Sequence, residues 1–446
     1  MSAGVGPMLR VRVVRDLPWT DPLSVATGLS TREGALCLLS DPRAPGSRSF
    51  VAADPERIIV IDRVEGPLFE ALRDPDMQAG VIGLASYDAG ARPATGERDT
   101  IWPDLILARY GAMLVFDHDA GRLQAIGWGE DAGAAEVNCD LAGEWVAAAR
   151  TPDMPPPPAT AFPAEAPPDA YRTAVERVVS RIAAGDLFQA NIARGWSGEL
   201  RPHADPFEVF VRLTLAPDAA STAPYGAFWR IGDRALVSNS PELFVACQRA
   251  AGRIETRPIK GTRPRHADPA ADAAEAEALL ASAKDRAENL MIVDLMRNDL
   301  ARVCRPGSVI VDRLFQIESH PTVHHLVSTI SGSLAEGQGP AEVLEATFPP
   351  GSITGAPKHQ AMKVIAGLEP PRGPWCGSLF VLDADGDLTA SVLIRTAAFE
   401  RMGRTWRFRT LAGAGIVADS EPAAELAETD AKISALRQAL TGQAEA

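Results

Sequence analysis

Short apolar or alternating segments separated by turn residues fill the first third of the chain, and they restrict it to folds built from short strands. Examples between residues 8 and 148 are "LRVRVV", "ALCLLS", "RIIVID" and "GAMLVFDH". Alternation with a period of two is typical of half-buried β-strands. Nearer the C-terminus, two apolar runs flank Asp385-Gly386 in "SLFVLDADGDLTASVLIRTAAFE". An Asp-Gly pair between such runs predicts a β-hairpin.

Helical patterns accompany the strands after residue 170. The apolar face of the first predicted helix consists of Val175, Val178, Val179, Ile182 and Ala183. Further helices are predicted over about 268–301 and about 356–368. The last helix should start with Asp419 or Ser420 as its N-cap and Pro422 in its first turn. This mixture of hairpins and helices predicts an α+β fold rather than a doubly wound parallel sheet.

A proline-rich segment divides the two patterns. Residues 150–170 read "RTPDMPPPPATAFPAEAPPDA". Because proline fits neither a helix interior nor a central strand, we predict an extended connector that acts as a plain spacer. The connector would separate a β-rich part, 1–149, from a second region, 171–446.

The composition excludes several classes of protein. The chain has 446 residues and a formal net charge of −14, which makes nucleic acid and anionic membrane poor partners and requires any anion site to be built locally. The five cysteines are scattered without metal-ligand spacing, as expected in a reducing compartment. Neither a secretory signal nor an apolar run of membrane-spanning length is apparent. We therefore expect a cytoplasmic protein.

Two pairs of acidic residues have helical spacing. Asp285 and Glu288 are three residues apart, as are Glu425 and Glu428, and Lys432 follows four residues after the second pair. Such spacing places side chains on one face of a helix. Neighbouring carboxylates repel each other unless a cation lies between them, and Mg²⁺ prefers such oxygen ligands. A solvated acidic face is the alternative, and the spacing alone leaves both open.

The stretch "TRPIKGTRPR" contains a lysine with unusual neighbours. Lys260 lies between Ile259 and Gly261, in a strand-like run closed by turn residues. The side chain is either one more solvated cation or a reactive amine. A lysine in apolar surroundings has a lowered pKa and is then a better nucleophile.

Three other features could contribute to a site. Glu242 follows a proline in "SNSPELF" and enters an apolar run. His324 and His325 are adjacent, so on a strand they would face opposite ways, and one could act as an acid or base. "GSITGAPKH" leads from a glycine-rich turn into a helix. The turn could bind a carboxylate through free backbone N–H groups, or it could simply start the helix. Its spacing excludes a phosphate-binding loop.

Together and in this order, the motifs resemble those of the chorismate-utilising enzymes. The motifs that carry the resemblance are "GDLFQANIA", "SNSPELF", "PIKGTRPR", "AENLMIVDLMRNDLARV", "VHHLVSTISG", "PPGSITGAPKHQAM", "RGPWCGS", "LIRTA" and "GAGIVADSEPAAELAETDAK". They span Gly185 to Lys432. The resemblance implies the anthranilate synthase component I-like fold, in which two antiparallel sheets pack as a central β-sandwich flanked by helices. Residues 1–149 would then be part of that body rather than a free domain.

The resemblance also implies roles for individual residues. Glu288 and Glu428 would ligate magnesium, supported by Glu425 and Asp285, and the metal would hold the ring carboxylate of chorismate. His325, rather than His324, matches the family's active-site histidine. The residues implied to bind substrate are Arg395, Lys432, Thr262, Gln189, Gly355, Ala356, Gly413, Ala414 and Gly415.

Lys260 indicates one branch of the family. Most relatives carry alanine in this motif, whereas lysine resembles the aminodeoxychorismate synthases, in which it is proposed to attack ring carbon 2 and expel the 4-hydroxyl. Ammonia from a partner glutamine amidotransferase then displaces the lysine. Glu242 would protonate the departing hydroxyl, and Gln189 replaces the lysine that water-activating members use as a base. Anthranilate synthase component I is the alternative.

Two positions depart from the family pattern. Asn289 stands where many members have histidine, and Phe380-Val381 stands where many have Gly-Tyr. The sequence therefore leaves the detailed contacts to the substrate carboxylates open.

Overall fold

The computed structural model describes residues 10–44, 46–216 and 223–443, and these contain 21 β-strands and ten α-helices. The strands are β1 (Val11–Leu17), β2 (Leu36–Leu39), β3 (Arg48–Ala52), β4 (Arg57–Ile61), β5 (Val81–Ala85), β6 (Leu105–Arg109), β7 (Ala112–Asp117), β8 (Arg122–Gly129), β9 (Gln189–Glu199), β10 (Tyr225–Ile231), β11 (Arg234–Ser240), β12 (Leu243–Gln248), β13 (Arg253–Thr256), β14 (Ile259–Pro264), β15 (Ile310–Ser319), β16 (Val323–Ser333), β17 (Gly355–Ala356), β18 (Ser378–Leu382), β19 (Leu388–Val392), β20 (Thr396–Met402) and β21 (Thr405–Ile416). The helices are α1 (Pro22–Leu29), α2 (Tyr87–Thr95), α3 (Ala132–Ala147), α4 (Pro168–Ala183), α5 (Pro206–Leu215), α6 (Pro269–Ala281), α7 (Ala283–Ala301), α8 (Pro340–Thr347), α9 (Lys358–Ala366) and α10 (Pro422–Thr441).

The strands form two large antiparallel sheets. Within the described ranges, one sheet has eleven strands in the order β1-β8-β7-β3-β2-β10-β11-β20-β21-β9-β17. The other has ten strands in the order β14-β16-β13-β12-β19-β18-β5-β6-β4, with β15 also paired to β16. The predicted α+β class with two antiparallel sheets is confirmed, and β18 and β19 form the hairpin predicted around Asp385-Gly386.

The sheets share a core because their inner faces are apolar. Phe228 and Leu236 of the first sheet belong to one buried cluster with Leu84 and Ile106 of the second. Strands before residue 130 enter both sheets, since β1 to β3, β7 and β8 lie in the first and β4 to β6 in the second. The two sheets therefore depend on the N-terminal strands as much as on the later ones.

Two helix boundaries differ from those predicted. The single helix expected over about 268–301 is wrong, because α6 and α7 are separated at Ser282, whose hydroxyl accepts a bond from the Asp285 backbone N–H at 3.2 Å and caps α7. The expected cap of α10 is also wrong. Glu421 occupies the N-cap without a side-chain bond, and the Ser420 hydroxyl instead accepts from the Val417 backbone N–H at 3.0 Å.

The proline-rich segment is extended as predicted, but it is packed rather than free. The Phe162 ring stacks against Trp196, with centroids 5.9 Å apart, and against Phe408 at 5.8 Å. Ala159 is fully buried and bridges to Leu200. Residues 150–167 therefore form a strap across the outer face of β9 and β21, and the prediction of a plain spacer is wrong.

The cysteines and the helices also bear on the expectations from composition. All five cysteines are buried as free thiols. No helix among the described residues combines the length and the apolar character that crossing a membrane requires.

A buried ion pair joins α7 to α9. The Lys358 ammonium lies 2.5 Å from an Asp299 carboxylate oxygen and also donates to the Thr347 carbonyl at 2.8 Å. Lys358 is the lysine of "GSITGAPKH", so its charge is neutralised inside the fold. The contact fixes the turn that carries Gly355 and Ala356 towards β9.

The Lys358–Asp299 pair should contribute strongly to stability. Asp299→Asn or Lys358→Met leaves one charge without its partner in a buried position, which typically destabilises by about 3–5 kcal/mol. The double variant Asp299→Asn/Lys358→Met should recover most of that loss, because no charge remains. Urea denaturation of the four proteins measures the coupling, and additive losses in the double variant would contradict a cooperative pair.

Candidate active site

Lys260 lies on β14 at the centre of a group of titratable side chains. A Cβ atom added to Gly415 would lie 3.2 Å from the Lys260 Nζ and 3.1 Å from the Gln189 Nε2, so both side chains approach the bare backbone of β21. Burial lowers the pKa of Lys260, and the positive charge of Lys432 lowers it further, while Glu288 and Glu242 oppose the shift. A larger fraction of this amine is thus neutral than for an ordinary lysine.

Glu242 faces the same space from the residue before β12. Its side chain is buried, with 4% of the residue exposed, and it lies against Lys260, the Ser352 hydroxyl and the Ile259 backbone N–H. Burial raises the pKa of Glu242, although Ser352 and Lys260 partly counteract this. A carboxyl group with a raised pKa beside an amine with a lowered pKa can hold a proton for transfer.

His325 and Arg395 lie on another side of this group. The Thr262 hydroxyl and the His325 Nδ1 are 3.0 Å apart across the β14–β16 pair. Burial, then the nearby Arg395 charge, lowers the pKa of His325 to about 3, so the imidazole is neutral at physiological pH. Its neighbour His324 faces away and binds Ser319 and Asp272 instead.

Arg395 has a strained backbone and lies close to Glu242 and His325. Its φ is +51°, a value that non-glycine residues rarely adopt. Burial lowers the pKa of its guanidinium, and the Glu242 carboxylate opposes this shift. No hydrogen bond joins the guanidinium to any side chain or carbonyl that the structure describes. This arginine is consequently able to bind an anionic group.

Four carboxylates approach this centre from two helices, α7 and α10. Burial raises the pKa of Glu288, and the charges of Asp285 and Glu425 raise it further. Burial also raises the pKa of Glu425, with Glu428 adding to the effect. The two helices therefore bring like charges together at a half-buried position, which is unfavourable without a cation.

Lysine and arginine side chains compensate part of this charge. Lys432 lies 2.5 Å from Glu428 and donates to the Gly413 carbonyl at 3.0 Å. Burial alone would raise the pKa of Glu428, but Lys432 and the more distant lysines lower it overall. Asp285 is paired with Arg263 at 3.1 Å.

The donor set fits magnesium by its chemistry. Glu288, Glu425 and Glu428 offer carboxylate oxygens, which are the ligands that Mg²⁺ prefers, and a dication would relieve their repulsion. Across residues 10–44, 46–216 and 223–443, no three acidic, histidine or cysteine side chains already converge on one point. These carboxylates would therefore have to move towards one another to hold magnesium.

The backbone positions implied to bind substrate lie along β9, β17 and β21. Gly355 and Ala356 pair with Ala190 and Gln189, while Gly413 and Gly415 pair with Ala193 and Asn191. Gly355 has φ +138°, and a Cβ atom there would lie 2.2 Å from the Gln189 carbonyl oxygen. Only glycine fits at this position. Ala414 instead points its methyl group into the core on the opposite face.

The sequence reasoning missed three contributors to this region. Ser352 faces Glu242, and Asn191 lies beside Gly413, where a Cβ atom would be 2.7 Å from the Asn191 Oδ1. Arg372 is fully buried, pairs with Glu369 and donates to the carbonyls of Asn191 and Ile353. Asn191 follows Gln189 by two residues, so the strand period could have shown that both face the same side.

Asn289, one of the departures from the family pattern, has a structural partner. Its Oδ1 accepts a bond from the Ser328 hydroxyl at 2.6 Å, and its Nδ2 donates to the Leu326 carbonyl at 3.3 Å. It therefore ties α7 to β16 directly beneath Glu288. Val381, the other departure, is buried on β18.

A separate cavity of about 1230 Å³ lies on the other side of β14 and β12. It is lined by Leu39, Ser40 and Tyr225, together with Leu243 and Ile259. Leu243 and Ile259 are the chain neighbours of Glu242 and Lys260, which are absent from its lining. The charged group described above is therefore distinct from this cavity.

Comparison with known proteins identifies the family. The sequence profile of the chorismate binding enzymes matches residues 48–438. Aminodeoxychorismate synthase component 1 of Salmonella typhimurium is 39% identical over 391 residues, which cover 86% of this chain and 82% of that protein. Anthranilate synthase component 1 of Thermus thermophilus is 37% identical over 396 residues, covering 87% and 82%.

A solved structure supports the same assignment. Anthranilate synthase component I from Streptococcus pneumoniae TIGR4 superposes with a TM-score of 0.74 at 27% identity, covering 88% of this chain and 92% of that one. The expected anthranilate synthase component I-like fold is thereby confirmed. Because the profile spans most of the sequence and these relatives match along most of their own length, the chain belongs to the chorismate-binding enzyme family.

Proposed function

We propose that this chain is component I of an aminodeoxychorismate synthase, which converts chorismate and ammonia into 4-amino-4-deoxychorismate. The single observation that carries this proposal is the position of Lys260, whose amine lies between Glu242 and Glu288 with a lowered pKa. Several relatives named aminodeoxychorismate synthase component 1, at 35–40% identity, support the same activity.

Lys260 serves as the nucleophile in the proposed reaction. The neutral amine attacks ring carbon 2, both conjugated double bonds of the ring shift by one position, and the bond from carbon 4 to its hydroxyl breaks. The proton that Glu242 holds goes to the departing oxygen, which leaves as water. The attached nitrogen then returns one proton to the Glu242 carboxylate, so the lysine adduct is a neutral amine. Burial favours both starting forms, because it lowers the pKa of Lys260 and raises that of Glu242.

Substrate binding depends on the charges around the centre. Glu288 and Glu428, supported by Glu425 and Asp285, would hold Mg²⁺, and the bound ion would neutralise the ring carboxylate of chorismate. Arg395 is placed to bind a second carboxylate, since its guanidinium has no hydrogen bond to another described residue. These local cations overcome the repulsion expected from a chain with net charge −14.

The ammonia would come from a separate subunit. Relatives such as that of Salmonella typhimurium carry the designation component 1, which implies a second component. We propose a glutamine amidotransferase in this role, because that class of enzyme releases ammonia from glutamine. With a high concentration of ammonium salt, component I should then work alone.

Anthranilate synthase component I remains the second candidate, because a relative with that name is 37% identical. The identity of the product distinguishes the two candidate activities. Purified protein is incubated with chorismate, Mg²⁺ and ammonium salt, then with an aminodeoxychorismate lyase, and the products are resolved by chromatography. 4-Aminobenzoate supports the proposal, whereas 2-aminobenzoate would show that Lys260 is a misleading marker of the branch.

Lys260→Ala should abolish formation of aminodeoxychorismate, because the variant lacks the amine that displaces the 4-hydroxyl. With the unaltered protein and chorismate but no ammonia, mass spectrometry should detect a covalent adduct on the peptide that contains Lys260. Lys363→Ala, an exposed lysine on α9, is the matched control and should keep full activity. Full aminodeoxychorismate synthesis by Lys260→Ala would exclude the nucleophile role.

Glu428→Gln and Glu288→Gln should each weaken Mg²⁺ binding at least about tenfold, since even groups beyond the direct ligands contribute that much at metal sites. Isothermal titration calorimetry measures the affinity independently of turnover. Glu421→Gln changes an exposed carboxylate just before α10 and serves as the control. Unchanged Mg²⁺ affinity in both site variants would place the metal elsewhere.

A further inference from the structure

Two buried amide side chains on β9 lack a hydrogen-bond partner among the residues that the structure describes. Gln189 is 0% exposed and Asn191 is 7% exposed. Within the described part of the chain, neither end of the Gln189 amide nor the Asn191 Oδ1 has a partner. Because an unpartnered buried amide is unfavourable for folding, two such groups in adjacent positions indicate a ligand that they bind.

Both amides face the centre that contains Lys260. Residues two apart on a strand share a face, and the glycines opposite them on β21 have no side chains to fill the space. A Cβ atom at Gly415 would meet the Gln189 amide and the Lys260 amine, and one at Gly413 would meet the Asn191 Oδ1 at 2.7 Å. The two amides thus occupy the space that side chains at positions 413 and 415 would take, and the Gln189 amide lies next to the Lys260 amine.

Neighbouring groups hold the backbone of Asn191 in a fixed position. Arg372 donates to the Asn191 carbonyl at 2.6 Å, and the Asn191 backbone N–H donates to Thr354 at 2.9 Å. The backbone of Asn191 is thus fully used, and only its side chain remains available. Lys432 covers the neighbouring Gly413 carbonyl.

We propose that Gln189 and Asn191 bind the ammonia molecule that reacts at carbon 4. This inference rests on the proposed function in that it takes ammonia as the second substrate. Ammonia has three N–H donors and one lone pair. Two amide oxygens accept N–H bonds and leave the lone pair directed at the ring.

Neutral amides suit this task better than carboxylates. A carboxylate would stabilise ammonium over ammonia, and ammonium has no lone pair with which to attack. The positive charge of the neighbouring Lys432 also disfavours a cation at this position. The pair therefore favours the nucleophilic form of the ligand.

The bond changes of this second step balance. The ammonia nitrogen forms a bond to carbon 4, the two ring double bonds shift back, and the bond between carbon 2 and the Lys260 nitrogen breaks. Ammonia loses one proton, and the departing lysine amine gains one. The amide side chains change no bond and only position the nucleophile.

Asn191→Leu tests the proposal because it keeps a similar volume and removes the acceptor. The KM for ammonia, measured with ammonium salt at fixed pH, should rise about tenfold, the value of one good hydrogen bond. The KM for chorismate and the amount of adduct on Lys260 without ammonia should stay unchanged. Thermal unfolding should occur at the same or a higher temperature, since an unpartnered buried amide is lost.

Asn138→Leu is the matched control, because Asn138 donates to the Trp128 carbonyl far from Lys260. It should lower stability without changing either KM. An unchanged KM for ammonia in Asn191→Leu, or an equal rise in both KM values, would overturn the proposal. If the product is 2-aminobenzoate while the KM for ammonia still rises, the amide pair binds ammonia, but both its attack at carbon 4 and the proposed branch are wrong.

Discussion

The antiparallel pairing of β9 with β21 determines where the chemistry of this protein can occur. Ten residue pairs, from Glu199–Arg407 to Ala190–Ile416, keep the two strands in register. One face of this ladder belongs to the core, which receives Ala190, Ile192 and Ala414. The other face presents amides and glycines to Lys260. A shift of one residue would exchange these two faces, so packing of the core and formation of the site depend on the same register.

Elements from both ends of the chain are fixed against this ladder. The strap that includes Phe162 covers the outer face of the ladder. Arg372 donates hydrogen bonds to the Asn191 and Ile353 carbonyls. The Lys358–Asp299 pair keeps the turn before α9 in place. The site itself contains unfavourable features, namely unpartnered amides and neighbouring carboxylates. The contacts around the site compensate for them by holding its elements in place. Proteins commonly combine a rigid scaffold with local instability at functional positions.

The sequence predicted much of this arrangement because its signals are local. Strand alternation and the Asp385-Gly386 turn gave the α+β class, and helical spacing placed Asp285 beside Glu288. The sequence did not predict the helix break at Ser282, because serine also occurs within helices. Only its bond to the Asp285 backbone identifies it as an N-cap. The packing of residues 150–167 could not be predicted either, since proline content indicates an extended chain without identifying the surface that it covers.

The remaining site residues depend on distant contacts. Asn191 looks like an ordinary strand residue until β21 brings Gly413 opposite its side chain, and Ser352 becomes relevant only because Glu242 arrives from another strand. The resemblance to a family supplied the roles of Lys260 and Glu242, but it carried no role for Asn191 and Ser352, although both lie within the shared motifs.

Burial acts on the opposite charges of the site in a coordinated way. It lowers the pKa of Lys260 and raises those of Glu242 and Glu288, so each group moves towards its neutral form. A shift of these three groups towards their neutral forms makes them less costly to bury. The same neutrality is what a lysine nucleophile, a carboxylic acid and an ammonia-binding amide pair all require. Desolvation by the two packed sheets is thus the common physical cause that makes the separate side chains suitable for one reaction.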